Sequence, residues 1–129
     1  MKKWIVALFL VSQTAFAGSP KSVIVDGTKW EIVREHNIIV EHSVYDGYTS
    51  CDKHVIQIAD DIGRCFEAVT VFHELEHASV CNQGFELRNM TGHDAMDRLA
   101  FGMSKIIADN PNLRRYFAKA RKCSWTDAE

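Results

Sequence analysis

His73 and His77 stand four residues apart in Val71-Phe72-His73-Glu74-Leu75-Glu76-His77-Ala78. On a helix that spacing puts both imidazoles on one face, one turn apart. Two ring nitrogens so placed can bind one zinc ion at about 2.0–2.1 Å. Glu74, beside the first histidine, is then placed to take a proton from a water on the metal, which is the chemistry of H-E-x-x-H hydrolases. The pattern points to a zinc-dependent hydrolase with peptide bonds as the expected target.

The neighbouring residues supply the helix. Advancing about 100° per residue from His73, the residues Ala68, Val71, Phe72, Leu75, Ala78 and Ser79 fall between about 140° and 260°. His77 and Val80 stay within about 40° of His73, Glu74 lies near 100°, and Glu76 lies near 300°. A helix over about Cys65 to Cys81 therefore has an apolar back for a core and a front that presents both imidazoles. Glu76 is expected to face solvent or a hydrogen-bond donor. The bland alternative is a surface helix carrying two solvated histidines.

A catalytic zinc generally takes three protein ligands and keeps a fourth position for water. The longer pattern H-E-x-x-H-x-x-G-x-x-H is not met, because Val80 replaces its glycine and Gln83 its last histidine. The remaining candidates open the next helix: His93, Asp94 and Asp97. His93 and Asp97 are four apart at the edge of an apolar face, so they can point together toward a buried neighbour. Asp94 lies nearly opposite the centre of that face and follows Thr91 by three, as in a capping box. His93 is thus the expected third ligand, with Asp97 accepting a hydrogen bond that orients a zinc-bound imidazole. Asp94 is the next candidate ligand, and the alternative is that all three merely decorate a helix start.

Residues Val23 to Ala78 and His93 to Leu113 resemble the small H-E-x-x-H metallopeptidase-like proteins, similar in plan to the gluzincin, ImmA/IrrE and SprT-like groups. The motifs that carry the resemblance are Val71 to Ala78 and His93-Asp94-Ala95-Met96-Asp97-Arg98-Leu99-Ala100. In that plan an acidic pair on the downstream helix includes a zinc-binding glutamate. The matching position here is His93, with Asp97 as the second member. The resemblance implies a zincin-like metallopeptidase domain with Zn2+ as cofactor and a peptide or protein as substrate. The cysteines and the exported N-terminus depart from the intracellular groups.

The expected reaction has Glu74 as general base and then as proton donor to the leaving amine. The strand around His54 to Ala59 is expected to offer an edge to an extended substrate. Tyr45, Tyr48 and His54 are conceivable oxyanion donors but are left out of the site, and His36, His42 and His54 lack ligand spacing. Two competing readings stand beside the peptidase. One is an exported, non-catalytic metal- or partner-binding module of the same fold. The other is a zinc amidase acting on cell-wall peptide.

The elements that must position these groups follow from hydrophobic periodicity. Val23-Ile24-Val25, an Asp26-Gly27 turn and Lys29 to Val33 predict a hairpin. Ile38-Ile39-Val40 and His54 to Ala59 are further strands, with a turn at Tyr45-Asp46-Gly47-Tyr48 between them. A loop from Asn82 to Gly92 leads to a second helix, about His93 to Asp109. On it Ala95, Met96, Leu99, Ala100, Met103, Ile106 and Ile107 share one broad face. Asn110-Pro111 ends this helix and starts a third, to about Lys122. The expected class is α+β: a small antiparallel sheet in the N-terminal half, packed on the metal-binding helix and two further C-terminal helices.

Met1-Lys2-Lys3, an apolar run from Trp4 to Val11 and Ala15-Phe16-Ala17 have the three parts of a secretory signal. Residues 1–17 are read as that signal and 18–129 as one domain, periplasmic or secreted. The apolar run is too short for a permanent span, which needs about 20 residues, and no later stretch does better. Without residues 1–17 the charge is 13 Lys and Arg minus 17 Asp and Glu, or −4, which gives no case for nucleic-acid binding. The four cysteines, Cys51, Cys65, Cys81 and Cys123, favour two disulfides in an exported domain. The simplest pairing is Cys51–Cys65 and Cys81–Cys123. Cys81, one turn beyond His77, is also a conceivable zinc ligand.

Overall fold

The computed structural model describes residues 18–84 and 86–123; the secretory-signal reading of residues 1–17 lies outside them. The described residues form six strands and then three α-helices: β1 (Ser22–Val25), β2 (Thr28–Glu35), β3 (Ile38–Val40), β4 (Ser43–Tyr45), β5 (Gly47–Ser50), β6 (Val55–Ala59), α1 (Arg64–Gln83), α2 (Gly92–Asp109) and α3 (Pro111–Ala120). The expected α+β class holds. The sheet is mixed, however, and not purely antiparallel. Its order is β1-β2-β6-β5, with β2 and β6 parallel and both outer pairs antiparallel. β3 and β4 form a separate two-stranded hairpin.

Strand alternation places one face of the sheet in the core. Val23 and Val25 of β1, Trp30 and Ile32 of β2, and Ile56 and Ile58 of β6 are buried against Ala68, Val71, Leu75 and Ala78 of α1. Met103 and Ile106 of α2 and Leu113 and Tyr116 of α3 complete this core. The helices cover one side of the sheet only, which gives two layers. The β1–β2 turn is at Asp26-Gly27, as read from the sequence, and both residues take positive φ, the geometry of a type I′ hairpin.

Helix ends follow local chemistry. Gly84 caps α1 in the left-handed region, φ 66°, where a glycine carries no side-chain penalty. The Thr91 side chain accepts from the Asp94 N–H at the start of α2, which is the Thr91 half of the expected capping box. Asn110 is buried between α2 and α3. Its side chain accepts from Ile24 N–H and donates to Ile24 O, both at 2.8 Å, so the residue that ends α2 also pins β1. Of the apolar face expected on α2, Met103 and Ile106 are buried while Met96 is exposed.

The disulfides are Cys51–Cys81 and Cys65–Cys123, which corrects the expected pairing. Cys65 and Cys81 sit at opposite ends of α1, about 24 Å apart at 1.5 Å per residue. β5 runs along α1 in the same direction, because Gly47 lies against Thr70 and Glu74 while Cys51 reaches Cys81. Cys51 is thereby delivered to the far end of α1, and the C-terminus of α3 meets Cys65. Two disulfides are the mark of an oxidising, non-cytoplasmic compartment. Among the described residues no helix is long and apolar enough to cross a membrane.

Candidate metal centre

The front of α1 carries His73 and His77, both exposed. Their Nε2 atoms face each other at 3.1 Å, with the rings edge to face. Two nitrogens bound to one tetrahedral zinc at about 2.0–2.1 Å stand roughly 3.3 Å apart, so this pair matches a two-histidine chelate closely. Cys81 is taken up by its disulfide, which removes it as a thiolate donor.

Glu74 is turned toward β5 and is only 5 % exposed. Its Oε2 accepts from the Thr49 hydroxyl at 2.6 Å, and that hydroxyl also lies 3.0 Å from the Glu74 carbonyl oxygen. Gly47 makes this approach possible, since a methyl group there would come 2.7 Å from Glu74 Oε1. His73 and Glu74 line one cavity of about 270 Å³ together with Tyr45, Asp46, Gly47, Phe66, Val69 and Thr70. The carboxylate is thus sheltered from bulk water yet opens onto the space beside the first imidazole.

The downstream candidates lie elsewhere. His93 Nε2 is 3.5 Å from Asp97 Oδ2 on an exposed turn of α2, and Asp94 donates its backbone N–H to the N-cap side chain of Thr91. Helices α1 and α2 run antiparallel, with Gln83 donating to the Arg98 carbonyl and Gly102 seated against Ser79. The residue level with His77 is therefore near Ser104, and His93 is displaced from it by roughly 16 Å along the helix axis. Among the described residues no group of three or more His, Cys, Asp or Glu gathers as a metal site. The structure brings His73 and His77 together and sets Glu74 on the same cavity as His73, and it leaves His93 and Asp97 apart from them.

The strand offered to substrate is also corrected. β6, which contains most of His54 to Ala59, lies inside the sheet between β2 and β5. The edge strand beside the site is β5, whose first two residues fall in the turn that the sequence predicts at Tyr45 to Tyr48. Gly47 and Thr49 escape sequence reasoning for the same reason, whereas Tyr45, conceivable from the sequence as an oxyanion donor, lines the cavity from the end of β4. The Tyr48-Thr49-Ser50 run has strand-forming side chains, a weak signal outweighed by the Asp46-Gly47 turn dipeptide. The other histidines are structural or peripheral: His54 packs on the Trp30 ring and His36 pairs with Asp60.

A second buried glutamate lies two turns earlier on α1. Glu67 Oε1 accepts from Ser19 Oγ at 2.8 Å, Arg34 Nη2 at 2.8 Å and the Tyr116 hydroxyl at 3.0 Å. Burial, with the Glu67 carboxylate alongside, pushes the Tyr116 phenol far above its ordinary pKa. This knot ties α1, α3, β2 and the segment before β1, and its charge is balanced by Arg34.

Comparison with protein-family models, with curated proteins and with solved structures finds no match.

Proposed function

We propose that this protein binds a zinc ion through His73 and His77 and hydrolyses peptide bonds beside it, in the manner of the small H-E-x-x-H metallopeptidases it resembles. The observation that carries this reading is the facing pair of imidazole nitrogens at 3.1 Å, with the buried Glu74 opening onto the same cavity as His73. Zinc held there would supply Lewis-acid activation of water and stabilise charge on a substrate carbonyl oxygen. Glu74 would take the proton from the attacking water and return it to the departing amine. Thr49 keeps the carboxylate fixed in one orientation, and the free edge of β5 can pair with an extended peptide.

A specific observation favours a second reading. Among the described residues two histidines stand without a third gathered donor, fewer protein ligands than catalytic zinc sites usually have. On ligand count, an exported metal- or partner-binding module without catalysis is better supported than the peptidase. Glu74→Gln separates the two. The peptidase reading expects zinc content to be retained while peptide cleavage falls by about 10²- to 10⁴-fold. Zinc binding with no cleavage by the unaltered protein would leave the binding module standing. A zinc amidase would cleave cell-wall peptide in preference to casein-type substrates, with the same loss in the Glu74→Gln variant.

A further inference from the structure

The second helix carries a wider apolar face than the fold covers. Taking Met103 as zero and advancing about 100° per residue, Leu99, Met103 and Ile106 fall between about 300° and 0°. These three pack into the core. Met96, Ile107, Ala100 and Ser104 continue the same face from about 20° to 100°. Met96 is 72 % exposed, and Ala100 and Ser104 are exposed as well. Beside them runs an open groove of about 530 Å³, lined by Phe72 of α1 and by Ala100, Met103, Ser104, Ile107 and Ala108 of α2. The Phe72 ring meets Phe117 edge-on at 5.6 Å and remains 40 % exposed. A large uncovered side chain toward one end of α2 and an apolar groove toward the other are reciprocal shapes, and contiguous apolar surface of this kind marks an interaction site.

We propose that this face is covered by a second copy of the same chain, the two α2 helices packing antiparallel about a two-fold axis at the level of Gly102. Met96 stands six residues before that level, and Ile107 and Ala108 stand five and six after it. The rotation therefore seats each Met96 in the groove of the other copy, an isologous contact. Ala100 and Ser104 flank the axis, and side chains that small let two helices approach to about 8 Å. Charge selects the antiparallel arrangement. Asp94 and Asp97 are exposed near the start of α2, while Arg114 donates to the Ile107 and Ala108 carbonyls at its end, at 3.0 and 2.7 Å. The two-fold brings the acidic start of each helix to the guanidinium at the end of the other, whereas a parallel pair would set acids against acids. One helix pair with a phenylalanine on either side covers an area at the lower end of specific interfaces, about 1,200 Å² in total. The dimer is accordingly reversible, in the micromolar range. It uses none of His73, His77 and Glu74, so it is independent of the metal reading.

Sedimentation velocity on the purified protein, across a series from low to high micromolar, tests the association. The average mass should rise toward two copies, and added salt should lower it at a given concentration. Met96→Glu, at a position the fold leaves exposed, should weaken association by about tenfold or more while the unfolding midpoint stays in place. Asp97→Arg and Arg114→Asp should each weaken it several-fold, and the two together in one chain should restore it. That rescue separates a contact between copies from a loss of helix capping by Arg114. Glu74→Gln should associate as the unaltered protein does. The register is read by NMR on a mixture of methyl-labelled and unlabelled copies, where the Met96 methyl should show cross-peaks to Ile107 and to the Phe72 ring of the other copy. A monomer at every concentration would overturn the proposal and give the groove to another occupant, a foreign protein or residues 124–129. A dimer indifferent to Met96→Glu, or one lacking the Met96–Ile107 cross-peaks, would overturn it equally, because the copies would then meet elsewhere.

Discussion

Glu67 and Glu74 are the same residue type on the same helix, seven positions apart, and both are nearly buried at 8 % and 5 % exposure. Seven residues bring a helix back to within about 20°, so both carboxylates face the sheet. Their surroundings differ. Glu67 has three donors on one oxygen, one of them the Arg34 cation, and is committed to holding elements together. Glu74 has a neutral hydroxyl from Thr49 and an opening toward His73. A buried carboxylate is costly unless paired; the fold gives one a cation, and on the proposed peptidase reading the other is the one used for proton transfer. Partners distinguish the two acids, where burial alone would not.

The largest expected effect that could break this comparison comes from Glu67→Ala. It strands Arg34, whose side chain is mostly buried, and should lower unfolding free energy by about 3–5 kcal/mol in a denaturant titration. The isosteric Glu74→Gln should cost less than about 1 kcal/mol in the same titration, because the amide oxygen can still accept from Thr49. Equal losses in the two variants would show that both glutamates are structural.

Gly47→Ala comes next. The added methyl meets Glu74 Oε1, Glu74 Cγ and Thr70 Cγ2 at 2.7–2.8 Å, and overpacking of this kind costs about 1–3 kcal/mol. Because the collision is with Glu74 itself, any cleavage activity should fall further than stability does. An unchanged ratio of activity to folded protein would argue against β5 positioning the carboxylate.

Tyr116→Phe removes one donor from Glu67 and should cost about 1 kcal/mol near neutral pH. It also changes the alkaline limb. The raised phenol pKa means that the unfolded chain loses this proton first. Its contribution is complete below the ordinary value of about 10 and declines as pH rises from there toward the folded value. Stability measured from about pH 8 to 11 should fall more steeply in the unaltered protein than in the variant, the phenol being the group removed.

The smallest effect concerns the exposed Asp26–Lys105 pair, far from either glutamate. Lys105 holds the Asp26 carboxyl below its usual range through a hydrogen bond, with Asn82 also donating. This contribution is present above the ordinary carboxylate pKa and lost as pH falls through the lowered one. Salt should screen it, so Lys105→Met should leave the midpoint of unfolding nearly unchanged at high ionic strength. A large shift there would mean that the link between the β1–β2 turn and α2 matters more than its exposure implies.

Much of the fold was legible locally. The Asp26-Gly27 hairpin, the Thr91 cap, the Asn110-Pro111 break and three helices at nearly the expected bounds all rest on interactions within a few residues. β5 was not legible, because four residues that begin at the glycine of an Asp-Gly dipeptide carry too short a pattern to outweigh a turn signal. Glu67 was invisible for a related reason: periodicity marks apolar faces as buried, and a charged residue is assigned to solvent until its partners are known. Those partners, Ser19, Arg34 and Tyr116, come from 33 to 49 positions away.

The sequence by itself determined that two imidazoles stand one turn apart with an acid beside the first, since helical pitch fixes that spacing wherever the helix goes. It also determined that four cysteines would pair. Tertiary structure alone decided which cysteines meet, which strand borders the site and that His93 stays at the far end of α2. Those outcomes depend on the direction and register of whole elements against one another, set by the packing of β5 and α2 on α1 and by no pattern inside any one of them.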